Sequence, residues 1–131
     1  MVKSFSLYKN FNIKNSHKNS IILIGNFDGL HSGHQKLFNL ARKYKKKYSV
    51  NLGVLTFEPM PKMFFNKEIK NYKFLNLNQK ISYFKKFSVD FLIDKKFNKK
   101  FSKISSNQFI KKYIYRSLNT KFIFVSNNFR F

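Results

Sequence analysis

The segment Gly25–Gln35, which reads GNFDGLHSGHQ, carries two histidines three positions apart. It follows an apolar β-branched run and precedes a helical pattern, so His31 and His34 should lie where a strand leads into a helix. Free N–H groups and the positive end of the dipole make a helix N-terminus an anion site. Two imidazoles aimed at that place can stabilise the charge that develops in phosphoryl or nucleotidyl transfer.

The other residues of this turn admit both a functional and a plain structural interpretation. Gly29 permits a tight turn, and Gly33, which lacks a Cβ, permits a nucleotide to approach the backbone closely. The same glycines could simply form a loop that Asp28 holds as an Asx turn. A protein-bound zinc site is disfavoured, because no third ligand besides Asp28 lies nearby. The segment matches neither the P-loop nor the Gly-x-Gly-x-x-Gly motif.

Patterns of strand and helix alternate along the chain and must position this turn. Four strands are predicted: Ile21–Gly25, Asn51–Phe57, Val89–Asp94 and Lys121–Val125. Three helices are predicted from Gly33 to about Tyr48, over Asn78–Phe87 and over Ser106–Leu118, with Lys62–Asn76 unassigned. In the third helix one apolar stripe is predicted to face the core: Phe109, Ile110, Tyr113, Ile114 and Leu118.

This alternation predicts an α/β fold with a parallel sheet of right-handed βαβ units. Ligands bind at the carboxyl ends of the strands in such sheets. The rule directs attention to four segments: Gly25–His34, Thr56–Pro61, Asp94–Lys96 and Val125–Phe131. Three of the four glycines and both prolines lie within them, which marks this edge as the candidate site.

Composition limits the classes of function open to these 131 residues. The chain has 27 Lys+Arg against 5 Asp+Glu, a net charge of +22, and no cysteine. Such a charge suggests nucleic acid, but the lysines are spread along the chain and only three cations are Arg, which specific readers favour. An AT-rich genome would produce the same excess of Lys, Asn and Phe. We therefore expect no nucleic-acid partner, and the lack of cysteine excludes disulfides and thiolate sites.

The sequence shows no targeting or membrane-spanning signal. Residues Met1–Ser20 are polar and lack the apolar core of a signal peptide. The longest apolar runs have about four residues, whereas roughly 20 are needed to span a bilayer. We expect a cytoplasmic protein with no membrane partner and no obligate protein partner.

Three motifs in order resemble those of the bacterial FAD synthetases, the bifunctional riboflavin kinase/FMN adenylyltransferases of the His-x-Gly-His nucleotidyltransferase superfamily. Gly25–Gln35 resembles their signature, and Thr56–Phe65 (TFEPMPKMFF) resembles their Thr-Phe-Glu-Pro-His-Pro loop. Val125–Phe131 (VSNNFRF) resembles their Val-Gly-x-Asp/Asn-Phe-Arg-Phe segment. The resemblance covers nearly all of the chain. It implies a Rossmann-like parallel sheet of the His-x-Gly-His nucleotidyltransferase type.

By this resemblance the reaction is transfer of AMP from ATP to FMN, which gives FAD and pyrophosphate. The catalytic residues it implies are His31 and His34. The ATP-binding residues it implies are Gly25, Asn26, Phe27, Asp28 and Gly33. The FMN-binding residues it implies are Glu58, Pro59, Asn128, Phe129 and Arg130. ATP and FMN are the expected partners, and Mg²⁺ accompanies ATP without a metal site made by protein side chains.

The chain departs from the family pattern at several points. Met60 replaces a histidine, and Ser126 replaces a glycine whose place a side chain could crowd. Family members continue past Phe131 with a further nucleotide motif, another strand and helix, and a riboflavin kinase domain. We therefore expect residues 1–131 to form one adenylyltransferase domain, truncated, with no kinase domain and with its last strand exposed. The alternatives are a non-catalytic flavin- or nucleotide-binding remnant and a related adenylyl- or cytidylyltransferase with another acceptor.

Overall fold

A computed structural model of the chain describes residues 4–27, 32–58 and 76–126. Five strands form one sheet: β1 Ser6–Tyr8, β2 Ile21–Ile24, β3 Leu52–Glu58, β4 Phe91–Lys96 and β5 Phe122–Val125. Their spatial order is β1-β4-β3-β2-β5, and every neighbouring pair is parallel. The predicted α/β fold with a parallel sheet is confirmed, and all four predicted strands are present.

The helices connect successive strands, and several begin at side-chain caps. They are α1 Ser32–Tyr48, α2 Leu77–Lys86, α3 Lys99–Ser102 and α4 Ser106–Phe109, which continues into a π-helix at Ile110–Ser117. Asn76 and Gln79 form a reciprocal capping box at the start of α2, and Ser105 and Gln108 form another at α4. Each box satisfies two N–H groups that a helix start would otherwise leave without partners. A short 3₁₀ turn at Asn15–His17 precedes β2.

The two faces of the sheet carry separate apolar layers. Alternate residues of β2 point to opposite sides, so Ile21 and Leu23 pack with α1 and α2, while Ile22 and Ile24 face the other side. The first layer includes Phe38 of α1 and Phe84 of α2, both fully buried. The second layer is closed by side chains from α3, α4, the π-helix and the segment before β2: Phe11, Ile13, Phe101, Phe109, Ile114 and Leu118.

The strand order reverses direction next to β2. From β2 the chain moves outward through β3 to β4, and it then returns to place β5 on the opposite side of β2. This doubly wound path leaves a topological switch point between the carboxyl ends of β2 and β5, the place where such sheets bind ligands.

The strand β1 is a feature that the sequence analysis missed. It has only three residues and pairs with β4 from Ser6↔Phe91 to Tyr8↔Ile93. Leu7 in its centre is exposed, because an edge strand is covered on fewer sides. So short a segment has no apolar run of its own, and only its pairing with a distant strand makes it a strand.

The predicted helix at Ser106–Leu118 is present, but the prediction that Ile110 faces the core is wrong. Phe109, Ile114 and Leu118 are buried, whereas Ile110 is 52% exposed. The reason is the π-helix, whose wider i→i+5 turns change which residues share a face. The buried residues are consequently five and four positions apart, and the 3.6-residue period puts Ile110 on the wrong side.

The last described strand presents apolar side chains on one face. Phe122 and Phe124 of β5 pack against Tyr44 of α1, while Ile123 and Val125 on the opposite face are 43% and 48% exposed. Within the described residues β5 pairs only with β2. None of the helices in the described part of the chain is both long and apolar enough to cross a membrane.

Candidate active site

The switch point brings together the two segments that leave β2 and β5. The amide of Gly25 donates to the carbonyl of Leu55 at 3.2 Å, and the amide of Ser126 donates to the carbonyl of Ile24 at 2.9 Å. A Cβ at Gly25 would lie 2.8 Å from Cβ of Ser126 and 2.9 Å from the ring of Phe27. Any larger residue at position 25 would therefore require Ser126 or Phe27 to shift.

Asn26 ties the end of β2 to the neighbouring strand. Its side chain is buried, and its Oδ1 accepts a hydrogen bond from the backbone N–H of Phe57 at 3.2 Å. A buried N–H without such an acceptor would cost about 1–3 kcal/mol. Asn26 thus sets the direction in which the chain leaves the sheet toward the turn.

Phe27 begins the turn in a left-handed backbone conformation, with φ of 55°. Its ring is 2% exposed and packs on Phe38, with ring centroids 5.0 Å apart. His34 meets the same ring edge-on, also at 5.0 Å between centroids. The ring is therefore in the core, where it supports the imidazole of His34, and it is not open to a ligand.

The first turn of α1 places His34 beside the switch point. The helix begins at Ser32, so Gly33 and the half-buried His34 lie among the residues whose N–H groups have no partner within the helix. These N–H groups and the positive end of the helix dipole favour a bound phosphate. The predicted site residues His31 and Asp28 fall outside the described residues.

The predicted FMN-binding residues are represented in the described part by Glu58 alone. It is the last residue of β3, is half-buried, and its carbonyl accepts a hydrogen bond from the Phe97 amide at 2.9 Å. Its position places it on the same edge of the sheet as Gly25 and His34. The remaining predicted residues lie outside the described ranges: Pro59, Asn128, Phe129 and Arg130.

A further polar cluster at this edge was not singled out residue by residue in the sequence analysis. Thr56 Oγ1 of β3 donates to Asp94 Oδ1 of β4 at 2.9 Å, and Lys9 Nζ lies 3.4 Å from Asp94 Oδ2. The rule of strand carboxyl ends pointed to Thr56 and Asp94 only as parts of longer segments. Lys9 follows β1, whose place in the sheet the sequence did not reveal.

The described residues offer no ready metal centre. Across residues 4–27, 32–58 and 76–126, no group of three or more His, Cys, Asp or Glu is placed to hold a metal ion. The groups at this edge that suit an anion are the backbone N–H groups of the first turn of α1 and the imidazole of His34.

Comparison with known proteins gives consistent matches. A family model described as FAD synthetase matches residues 13–131. A bifunctional riboflavin kinase/FMN adenylyltransferase from Buchnera aphidicola subsp. Schizaphis graminum is 38% identical over 120 residues, which is 92% of this chain and 38% of that protein. The Escherichia coli K12 protein of the same description is 30% identical over 111 residues, covering 85% of this chain and 36% of its own length.

A solved structure also matches over nearly the whole chain. The structure described as a macrolide-efflux protein from Streptococcus pneumoniae aligns with a TM-score of 0.78 at 26% identity, covering 98% of this chain and 50% of that one. This likeness supports the fold described above. The chain spans well under half the length of the two curated relatives it matches.

Proposed function

The chain belongs to the FAD synthetase family, and we propose that residues 1–131 form an FMN adenylyltransferase domain, which transfers AMP from ATP to FMN and releases pyrophosphate. The two curated relatives bear this activity in their names, together with riboflavin kinase. We propose the adenylyltransferase alone, because the His-x-Gly-His motif and the nucleotide crevice serve that reaction.

The observation that carries the proposal is the position of His34. It lies in the first turn of α1, directly after the segment that leaves β2 at the switch point, and its ring rests on the buried ring of Phe27. A crevice at this point of a doubly wound sheet, with a helix N-terminus beside it, suits the phosphates of a nucleotide. The packing on Phe27 limits the orientations open to the imidazole.

In the proposed reaction, a phosphate oxygen of FMN attacks the α-phosphorus of ATP. The bond from that phosphorus to the bridging oxygen of the β-phosphate breaks, and pyrophosphate leaves with the electron pair. No protein nucleophile is required, so the chain acts by positioning and by stabilising charge. His34 and the motif's other histidine, His31, are the residues to which we assign charge stabilisation, together with N–H groups of the first turn of α1.

We assign the ATP side of the crevice to Gly25, Asn26, Phe27, Asp28 and Gly33. We assign the FMN side to Glu58, Pro59, Asn128, Phe129 and Arg130. Mg²⁺ would enter with the phosphates of ATP, and no step is assigned to it. The proposal includes a cytoplasmic location and neither a nucleic-acid nor an obligate protein partner.

The test is to incubate the chain with ATP, Mg²⁺ and FMN and to measure FAD by chromatography. We expect FAD to form, and we expect His34→Ala to lower its rate by at least about 100-fold with an unchanged circular dichroism spectrum. His34→Gln keeps bulk beside Phe27 and should lose activity as well. Asn39→Ala, on an exposed position of the same helix, should keep the wild-type rate.

Two outcomes would contradict the proposal in different ways. If no FAD forms while FMN fluorescence shows saturable binding, the chain is a non-catalytic flavin-binding module. If AMP is transferred to another acceptor and not to FMN, the chain is a related nucleotidyltransferase. Equal rates for His34→Ala and Asn39→Ala would remove His34 from the catalytic assignment.

A further inference from the structure

A second concave surface lies at the opposite, amino-terminal edge of the sheet. This amino-edge cavity has a volume of about 680 Å³ and lies between the carboxyl end of α1 and the segments that enter β2, β3 and β4. Its cationic and amide-bearing lining residues are Lys18, Asn19, Arg42, Lys45, Lys46 and Asn51. None of the site residues of the proposed reaction lines it.

The amino-edge cavity concentrates positive charge that its surroundings do not neutralise. Lys45 is bound to Asp90, with 2.9 Å between Nζ and Oδ2, and is thereby held in place. Lys18, Arg42 and Lys46 form no ion pair within the described ranges 4–27, 32–58 and 76–126. None of the described residues that line the cavity is acidic. Bringing these cations together costs free energy that a bound anion would offset.

The dipole of α1 explains only part of this arrangement. Cations are favoured in the last turn of a helix, and Lys45 and Lys46 are in the last turn of α1. Arg42 lies one turn earlier, and Lys18 comes from the segment before β2. Their convergence on one cavity needs a different explanation from the helix dipole.

The lining indicates which anion fits. No aromatic residue is among the described residues that line the amino-edge cavity, and Val50 is its one apolar side chain, so a nucleobase or flavin ring would find no stacking partner. The polar donors that remain suit phosphate oxygens: the guanidinium fork of Arg42, lysine ammonium groups and the side-chain amide of Asn19. Arginine is scarce in this chain, which makes its presence here informative.

We propose that the amino-edge cavity binds an inorganic oligophosphate of two or three linked phosphates, separately from the nucleotide site. Three cations without a carboxylate partner match the multiple charges of such an anion. Arg42 binds phosphate oxygens through two N–H groups, while Lys18 and Lys46 supply point charges from either side. Lys45 is held by Asp90 and the Ser88 carbonyl, so it shapes the cavity without adding unpaired charge.

The experiment is isothermal titration calorimetry with inorganic tripolyphosphate, without Mg²⁺ and at one fixed ionic strength, because salt screens exposed charges. It is done in the His34→Ala protein, which weakens any binding at the nucleotide site. We expect the double substitution R42Q/K46Q to weaken binding by at least about tenfold. The matched control is K43Q/K47Q, which removes the same charge from exposed positions of the same helix that do not line the cavity.

Three results would overturn the proposal. The first is an absence of saturable binding. The second is equal weakening by R42Q/K46Q and K43Q/K47Q, which would mean attraction by net charge alone. The third is binding in the otherwise wild-type chain that His34→Ala removes and R42Q/K46Q leaves intact, which would assign the anion to the nucleotide site. None of these measurements depends on formation of FAD, and circular dichroism of each variant confirms that the fold is kept.

Discussion

The two edges of the sheet each carry an ion pair, and the pairs differ in how the fold uses them. At the amino-terminal edge, Asp90 accepts from Lys45 at 2.9 Å and from the Leu52 amide at 2.8 Å, and its side chain is 9% exposed. At the carboxyl-terminal edge, Lys9 lies 3.4 Å from Asp94 and is itself 65% exposed. The first pair is part of the interior, and the second faces solvent.

The carboxyl-terminal edge is therefore the one that keeps its polar groups more open to solvent. Asp90 aligns the starts of β3 and β4, because its Oδ2 accepts from both Lys45 and the Leu52 amide in a position that is only 9% exposed. The carboxyl-terminal edge holds the first turn of α1 with His34, and the carboxylate of Asp94, which is 18% exposed and contacts Thr56 and Lys9. The strongest concentration of cations described above lies at the other edge, so positive charge by itself does not locate the candidate active site.

The largest expected effect on stability is at the amino-terminal edge. Asp90→Ala would leave the partly buried Lys45 with the Ser88 carbonyl as its remaining partner and the buried N–H of Leu52 without its acceptor. We expect the free energy of unfolding to fall by about 3 kcal/mol. Urea unfolding monitored by circular dichroism measures this change. A loss below about 1 kcal/mol would mean that the buried pair contributes no more to stability than an exposed one, which would contradict the comparison of the two edges.

Gly25→Ala should also lower stability, at the carboxyl-terminal edge. The added Cβ would meet Ser126 and the ring of Phe27, both buried, and we expect a loss of about 1–3 kcal/mol of stability. Ser126→Gly in the same chain should recover part of the loss, because it removes one of the two contacts. Strict additivity of the two substitutions in a double-mutant cycle would contradict this geometry.

Gly53→Ala is the control that distinguishes an effect of crowding at the candidate site from a general loss of stability. Gly53 is in β3, and a Cβ there would collide with the ring of Phe91, away from the switch point. We expect it to lower stability while the rate of FAD formation per folded molecule remains at the wild-type value. Gly25→Ala should lower that rate as well, since its backbone borders the nucleotide crevice.

Lys9→Ala is expected to change stability by at most about 1 kcal/mol, because the pair with Asp94 is exposed and screened by salt. Urea unfolding at low and at high salt measures the effect, which should shrink as salt rises. An effect as large as that of Asp90→Ala would show that the ion pair at the carboxyl-terminal edge stabilises the fold as much as the pair at the amino-terminal edge.

Tyr83 in α2 belongs to neither ion pair and gives the smallest expected effect. Its hydroxyl is buried and has no hydrogen-bond partner among the described residues, so Tyr83→Phe should change stability at pH 7 by less than about 1 kcal/mol. Burial raises the pKa of Tyr83 above its usual 10.0. The unfolded chain therefore loses this proton first, and the wild type should lose stability relative to Tyr83→Phe only as pH rises above about 10. A difference that does not change between pH 8 and pH 10.5 would contradict the burial of this phenol.

Much of the fold was predictable because its signals are local. The β-branched run at Ile21–Ile24 indicated a strand buried on both faces, and the helical spacing after it indicated α1. Glycine and histidine at the junction marked the candidate site before any contact was known. These signals depend only on residues a few positions apart, so they can be recognised even though the composition is biased toward Lys, Asn and Phe.

The order of β2 to β5, the three longer helices between them and the position of His34 where a strand leads into a helix could all be predicted from the sequence. The tertiary structure alone decided that Ser6–Tyr8 is a strand, that Ile110 is exposed, and that Asp90 and Lys45 close one edge. Asp94 is 85 positions from Lys9, and Asp90 is 38 positions from Leu52. Contacts at such separations depend on how the whole sheet assembles, and no local period or motif encodes them.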